Sequence, residues 1–271
     1  MKLGVMLRNM GPESTPDSLF ACARAAEAAG LDDVWVADHL AIPPDDAEGS
    51  EGRYLDPLAT LATLAGVTAR VGLGTAVLNL PYRPPLPTAK WVATIQELSG
   101  GRLLLGVGLG WMEPEFRALG VPRAARGRLA DETLEFLGRC FAADVVEANG
   151  QPFLFRPRPP APPVFVGGAA PHALARAVRH GAGWLPMARE AGELAPALAE
   201  LARRAREAGR EPPAVACLVP VPLDEAPSET ARRLRAFRDA GVARVIAAFG
   251  RYRDADAFGR AALRVAASRP A

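Results

Sequence analysis

AEAAGLDDVWVADHL, residues 26–40, joins the end of a helix, a buried strand and a polar pair in one short stretch. Gly30 ends the helix, because glycine readily adopts the left-handed conformation that closes a helical C-terminus. The apolar run Asp33–Ala37 is typical of a strand covered on both faces. Asp38 and His39 follow directly. The stretch therefore predicts a helix-to-strand step that delivers polar side chains to one edge of a parallel sheet.

The same unit recurs along the whole chain. Short apolar runs alternate with amphipathic segments, and the first helix is predicted to begin at Pro16 after an N-cap at Thr15. The predicted strands are Leu3–Leu7, Asp33–Ala37, Val71–Leu78, Leu103–Val107, Val164–Val166, Gly183–Pro186, Ala214–Val221 and Ala243–Phe249. The later helical segments cover roughly residues 55–69, 86–98, 123–142, 170–180, 193–208, 228–240 and 255–267.

Eight strand–helix pairs predict a (β/α)8 TIM barrel that forms a single domain over residues 1–271. The competing architecture is a doubly wound open sheet. Its dinucleotide fingerprint requires GxGxxG in the first strand–helix turn, but residues 7–11 are LRNMG. Two long connections stand out. The polar, acidic loop Asp38–Tyr54 is a candidate lid, and the proline-rich stretch Ala143–Pro163 is expected to be irregular and extended.

Composition excludes several classes of protein. Hydrophobic residues make up 49% and charged residues 23% of 271, with a net charge of +2, which is ordinary for a soluble globular protein. No apolar run reaches the roughly 18 residues of a membrane span. Scattered basic residues argue against nucleic-acid binding, and the absence of HxH and HExxH argues against a metal. Three cysteines without CxxC spacing predict buried, reduced thiols in a cytoplasmic protein.

In a barrel, the residues at the carboxyl ends of the strands are the candidates for chemistry. Asp38 and His39 are the most informative pair, because imidazole can donate or accept a hydrogen bond and a nearby carboxylate can fix its tautomer. The alternative is a loop pair that only binds backbone. The other candidates at strand ends are Arg8, Asn9, Asn79, Gly108 to Trp111, Gly167, Gly168, Met187 and Arg251.

Two glycine-rich segments allow two interpretations each. The segment 106–111, GVGLGW, either lets a ligand approach the backbone, with Trp111 as an apolar wall, or permits tight barrel packing. The segment 167–171, GGAAP, precedes a predicted helix. It is either an anion site of free backbone amides or a plain tight turn.

Taken together, the sequence resembles the luciferase-like monooxygenase superfamily, and most closely its coenzyme F420-dependent oxidoreductases. The segments that carry the resemblance are AEAAGLDDVWVADHL (26–40), RVGLGTAVLN (70–79), LSGGRLLLGVGLGW (98–111), VFVGGAAPHAL (164–174) and GAGW (181–184). The resemblance implies an enzyme that binds F420, or alternatively FMN, together with a small-molecule substrate. It also implies a homodimer, since relatives are often dimers.

The resemblance assigns roles to several of these candidates. His39 and Asp38 would be the catalytic pair near the polar edge of the cofactor ring, and a non-prolyl cis peptide aligned at Ala76–Val77 would back that ring. The implied cofactor-binding residues are Thr75, Ala76, Val77, Gly108, Leu109, Gly110, Trp111, Gly167, Gly168 and Ala169, of which Gly167 and Gly168 would bind the phosphate and Gly108 to Gly110 would line the channel.

One departure narrows the expected function. Trp111 stands where some F420-dependent dehydrogenases carry a glutamate proton donor, and Glu113 and Glu115 just beyond it are expected to be solvated loop acids. The sequence therefore favours an F420-dependent oxidoreductase that transfers hydride to or from a small organic substrate. The alternatives are an FMN-dependent monooxygenase of the same superfamily and a non-catalytic flavin-binding barrel protein.

Overall fold

The computed structural model describes residues 1–47 and 49–270, and its central feature is a cylinder of parallel strands. The strands that form it are β1 (Lys2–Met6), β2 (Asp33–Val36), β3 (Gly72–Thr75), β4 (Leu78–Asn79), β5 (Leu103–Gly108), β8 (Val164–Gly167), β9 (Gly183–Leu185), β10 (Ala216–Pro220) and β11 (Arg244–Ala248). β4 continues the path of β3 and pairs with β5. A separate hairpin consists of β6 (Val145–Ala148) and β7 (Gln151–Leu154).

The sheet closes on itself between β9 and β10. Parallel bridges join Trp184 to Val215 and Met187 to Leu218, and the amide of Leu218 donates to the carbonyl of Pro186 at 2.8 Å. Closure confirms the predicted (β/α)8 barrel, because a doubly wound sheet would leave two open edges.

The helices surround this cylinder and follow the predicted segments closely. They are α1 (Pro16–Ala28), α2 (Pro57–Val67), α3 (Pro85–Leu98), α4 (Glu113–Ala118), α5 (Arg126–Ala142), α6 (His172–His180), α7 (Ala195–Glu207), α8 (Pro227–Asp239) and α9 (Ala255–Ala267). The hydroxyl of Thr15 accepts from the amide of Ser18, which confirms the predicted N-cap of α1. Gly30 has a φ of 78° just beyond that helix, as expected of a C-terminal glycine.

Two segments differ from the sequence-based expectation. Ala143–Pro163, expected to be irregular, contains the β6–β7 hairpin. Its turn is Asn149-Gly150, and both residues have positive φ, the type I′ geometry that Asn-Gly favours. The short helix α4 lies where a loop was expected. Its first turn contains Glu115, which is buried.

The interior of the barrel is packed and not hollow. Trp35 and Phe165 meet edge to face, with ring centroids 6.2 Å apart, and Ile246 packs in the same cluster. Below them Arg244 forms an ion pair with the buried Asp33. These side chains fill the lower barrel, so the carboxyl ends of the strands form its mouth.

The three cysteines are buried and free, as predicted. In residues 1–47 and 49–270, no helix has both the length and the apolar character needed to cross a bilayer. The same residues contain no group of three or more His, Cys, Asp or Glu side chains placed to hold a metal ion.

Candidate active site

The floor of the barrel mouth is a small apolar platform in the segment that joins β3 to β4. The peptide bond from Ala76 to Val77 is cis, as the resemblance implied, and both residues are half-buried. A Cβ atom added to Gly108 or Gly167 would collide with the side chain of Val77. These two glycines therefore make room for Val77, so the packing interpretation accounts for their lack of a side chain.

Thr75 lies just below this platform and faces the wall of the barrel. Its side chain is fully buried, and its hydroxyl donates to the carbonyl of Gly106 at 2.6 Å. The hydroxyl is thus committed to a contact between strands, and only the two residues after it reach the mouth.

Asp38 is buried and is held by donors on every side. Arg83 donates to both of its carboxylate oxygens, at 2.6 and 2.8 Å, and the amide of Asn79 donates at 2.8 Å. The side-chain amide of Asn79 returns a bond to the carbonyl of Asp38 at 3.0 Å, and Arg83 also pairs with Asp56 at 2.8 Å. Burial raises the pKa of the Asp38 carboxyl, against the opposing effect of Arg83. Asp38 therefore ties the β2 loop to the segment after β4.

His39 pairs with Glu115, so the expectation that Asp38 is the neighbouring carboxylate is wrong. Nδ1 of His39 lies 2.9 Å from Oε2 of Glu115, and the hydroxyl of Tyr82 donates to the same oxygen at 2.9 Å. Oε1 accepts from the amides of Leu40 and Ala41, at 2.6 and 3.0 Å. The loop after β2 thus wraps around one carboxylate.

The expectation that Glu115 is a solvated loop acid is also wrong, because its side chain is fully buried. Burial raises its pKa, but the hydrogen bonds from His39 and the two amides outweigh burial and lower the pKa to about 2. Glu113 is exposed as expected, and it lies 3.5 Å from Arg123. Only one of the two acids therefore belongs to the site.

Two aromatic rings enclose the imidazole of His39. The ring centroids of Tyr54 and Trp111 lie 4.9 and 6.1 Å from that of His39. The side chain of His39 is 13% exposed, whereas Trp111 is 54% exposed at the rim. The structure thus brings His39 and Trp111 together at one side of the mouth.

The turn after β8 presents its backbone to solvent. Gly168, Ala169 and Ala170 are exposed, Gly168 has a φ of 117°, and the bond from Ala170 to Pro171 is cis. The carbonyl of Gly168 accepts from the indole of Trp184 at 2.9 Å, which fixes the direction of that peptide. An open turn at the start of α6 can bind an anion through its amides.

The other predicted candidates have structural partners or lie at the rim. The side-chain amide of Asn9 bonds to Ala37 and Leu55 and joins two loops. Arg251 pairs with Glu13 at 2.5 Å. Met187 is 71% exposed.

Sequence reasoning missed Tyr82 and Arg83 and misjudged Glu115. Tyr82 and Arg83 follow Leu80 and Pro81 just after β4, where no polar pattern distinguishes them. For Glu115 a signal existed, since Phe116 beside it is fully apolar and is buried in the structure. An acid next to a core residue in a short helix cannot be assumed to face water.

The fold and the site define a class: a (β/α)8 barrel whose candidate active site lies where the strands end. Residues 1–269 match the sequence profile of the luciferase-like monooxygenases. The chain therefore belongs to the luciferase-like monooxygenase family.

The similar proteins include some named for F420 and one in complex with FMN. An F420-dependent hydroxymycolic acid dehydrogenase of Mycobacterium tuberculosis is 33% identical over 211 residues, which cover 72% of this chain and 56% of that protein. Among solved structures, an F420-dependent secondary alcohol dehydrogenase superimposes with a TM-score of 0.78 at 17% identity, covering 97% of this chain and 98% of the other. The oxygenating constituent of a Pseudomonas putida diketocamphane monooxygenase, in complex with FMN, gives 0.70 at 17% identity, covering 86% and 70%. At such identities the structural matches show the fold.

Proposed function

We propose that the protein is an F420-dependent oxidoreductase that transfers hydride between the deazaflavin and a small organic substrate. The proposal rests on the arrangement at the mouth of the barrel. The half-buried platform of Ala76 and Val77 forms its floor, and His39 lies at its rim. The 33% identity to an F420-dependent dehydrogenase supports the choice of cofactor.

The residues at the mouth fit a planar ring with a phosphate tail. Ala76 and Val77 would back the ring, His39 would contact its polar edge, and the amides of Gly168 and Ala169 would bind the phosphate. The channel between these places would be lined by Gly108, Leu109, Gly110, Trp111 and Gly167. When bound, the deazaflavin supplies a carbon centre that accepts or donates hydride.

The protein's own part is to orient the ligands and to supply polar groups. Asp38 holds the β2 loop through Arg83, and this anchoring places His39 at the rim. Trp111 and the 41% exposed Leu40 offer apolar surface beside it. An organic substrate with one polar group would place that group toward His39 and its apolar part against this surface.

Titration of the purified protein with oxidised F420, followed by quenching of its fluorescence, tests the cofactor. We expect saturation below about 50 µM and weaker binding of FMN. His39→Ala should weaken the binding of F420, whereas His180→Ala, at the C-terminal end of α6 where the ring contacts Asp131, provides a matched histidine control.

Other outcomes would identify the alternatives. Saturation by FMN with no binding of F420 at about 50 µM would contradict the proposal and favour an FMN-dependent monooxygenase. Binding of F420 without turnover across alcohols, aldehydes, ketones and enones would favour a non-catalytic flavin-binding protein.

A further inference from the structure

Four groups form hydrogen bonds with the carboxylate of Glu115, and two of them can act only as donors. The backbone amides of Leu40 and Ala41 occupy Oε1, at 2.6 and 3.0 Å. An amide N–H has no capacity to accept a hydrogen bond, so the atom facing it must be an acceptor. Oε2 faces Tyr82 and His39, whose hydroxyl and ring nitrogen can each either donate or accept.

The charge state of Glu115 decides between these possibilities. The hydrogen bonds that lower the pKa of Glu115 to about 2, against the effect of burial, keep the carboxylate ionised at neutral pH. An ionised carboxylate only accepts. Tyr82 remains protonated, because burial and the neighbouring Glu115 both raise the pKa of its hydroxyl. Both partners of Oε2 must therefore present a hydrogen.

We infer that Glu115 is a positioning residue: in the neutral form of the His39 ring it holds the proton on Nδ1, so that Nε2 carries the lone pair. Within residues 1–47 and 49–270, Nε2 of His39 has no hydrogen-bond partner. The ring lies at the mouth of the barrel, beside the exposed Trp111. Nε2 is then the acceptor that a bound ligand meets.

This tautomer selects the ligand group by its chemistry. A hydroxyl or N–H group can donate to Nε2, whereas a carbonyl oxygen cannot bond to the neutral ring there. For a bound alcohol, the hydroxyl would donate to Nε2 and its proton would pass to that nitrogen. That last step rests on the proposed function, but the tautomer does not.

Asp38 cannot replace Glu115 in this role. Its two oxygens are occupied by Arg83 and by the amide of Asn79. The sequence places Asp38 next to His39, yet the partner in space is 76 residues away along the chain.

Two-bond ¹H–¹⁵N correlation spectra of ¹⁵N-histidine-labelled protein without cofactor, recorded at a pH where the ring is neutral, report the tautomer directly. The three histidines are assigned with His39→Ala, His172→Ala and His180→Ala. We expect His39 to carry its proton on Nδ1. The Nε2–H form in the wild-type protein would overturn the inference without recourse to any Glu115 variant.

Glu115→Gln should reverse the tautomer. The NH₂ of the new glutamine cannot face the backbone amides of Leu40 and Ala41, because these are donors themselves. The NH₂ must therefore face Tyr82 and His39. His39 then has to accept at Nδ1 and carry its proton on Nε2. Glu113→Gln, an exposed acid two residues earlier in α4, should leave the His39 spectrum unchanged, and Tyr82→Phe should retain the Nδ1–H form. An unchanged tautomer in a folded Glu115→Gln protein would contradict the inference.

Kinetics separate this inference from the proposed function. With saturating F420 and an alcohol that is turned over, Glu115→Gln should lower kcat by about 100-fold, in the range of general acid–base effects. A wild-type protein that shows the Nδ1–H tautomer but binds no F420 would refute the proposed function alone. A reversed tautomer with unchanged kcat would refute the proton-acceptor role alone.

Discussion

Asp38 was expected to be part of a catalytic pair. Its contacts predict instead that substituting it lowers the free energy of unfolding. Its partners are the guanidinium of Arg83 and the amide of Asn79, which are all donors. Asp38→Asn keeps the shape of the side chain but places an NH₂ group against one of these donors. It also removes the charge opposite a guanidinium that is only 12% exposed.

The magnitude follows from breaking a buried pair, which costs about 3–5 kcal/mol when one partner is left. Asp56 still neutralises Arg83, and its side chain is 40% exposed, so we expect the lower end of that range, about 3 kcal/mol. An unfolding entropy of about 2.1 cal/mol/K per residue gives about 570 cal/mol/K for this chain. The melting temperature should therefore fall by about 5 °C.

Urea unfolding followed by circular dichroism measures this loss, and Asp45→Asn, an exposed acid in the same loop, serves as the matched control. Adding Arg83→Met to Asp38→Asn should recover part of the lost stability, because the uncompensated charge is removed. The reasoning is refuted if Asp38→Asn unfolds within about 0.5 kcal/mol of the wild type while the binding of F420 is lost. That result would make Asp38 a ligand contact.

Three further changes test other parts of the site. His39→Ala should weaken the binding of F420 yet lower the melting temperature by less than about 2 °C, because water from the mouth can replace the lost donor. Fluorescence titration measures the binding and calorimetry measures the melting temperature. A larger fall in melting temperature with F420 binding retained would indicate a structural role for His39. Glu115 has a folded pKa of about 2, below the ordinary 4.5, so its contribution of about 3 kcal/mol is present above pH 4.5 and is lost as the pH falls toward 2. The difference in unfolding free energy between wild type and Glu115→Gln should therefore shrink over that interval in urea titrations, and a constant difference would be inconsistent with an ionised Glu115. Gly106→Ala should lower the free energy of unfolding by about 3 kcal/mol, because its Cβ would overlap the carbonyl oxygen of Thr75. Gly138→Ala, in open space on α5, should not destabilise the protein. Equal urea midpoints for the two variants would contradict the packing argument.

Much of the fold could be predicted from the sequence because its signals are local. Thr15 and Gly30 mark the ends of α1, Thr15 through its hydroxyl and Gly30 through its backbone conformation. The β6–β7 hairpin could also have been predicted, since Asn149-Gly150 is a strong local turn signal. It was missed because the prolines that follow dominated the interpretation of that stretch.

The candidate site could be predicted only in its location. The end of β2 and the glycine-rich ends of β5 and β8 mark one face of the barrel in the sequence. The chemistry of that face depends on pairs between distant residues, such as His39 with Glu115 and Asp38 with Arg83. No spacing rule connects them, because each pair joins loops that follow different strands.

Residues 26–40 are enough to predict a polar pair at the end of a buried strand. The role of each member depends on the distant residues that folding brings against it. The closed barrel brings both α4 and the segment after β4 to the β2 loop, so Asp38 meets a guanidinium and His39 meets a buried carboxylate. Neighbouring side chains along an extended chain point in different directions. Asp38 and His39 therefore contact different partners, and those partners determine the role of each residue.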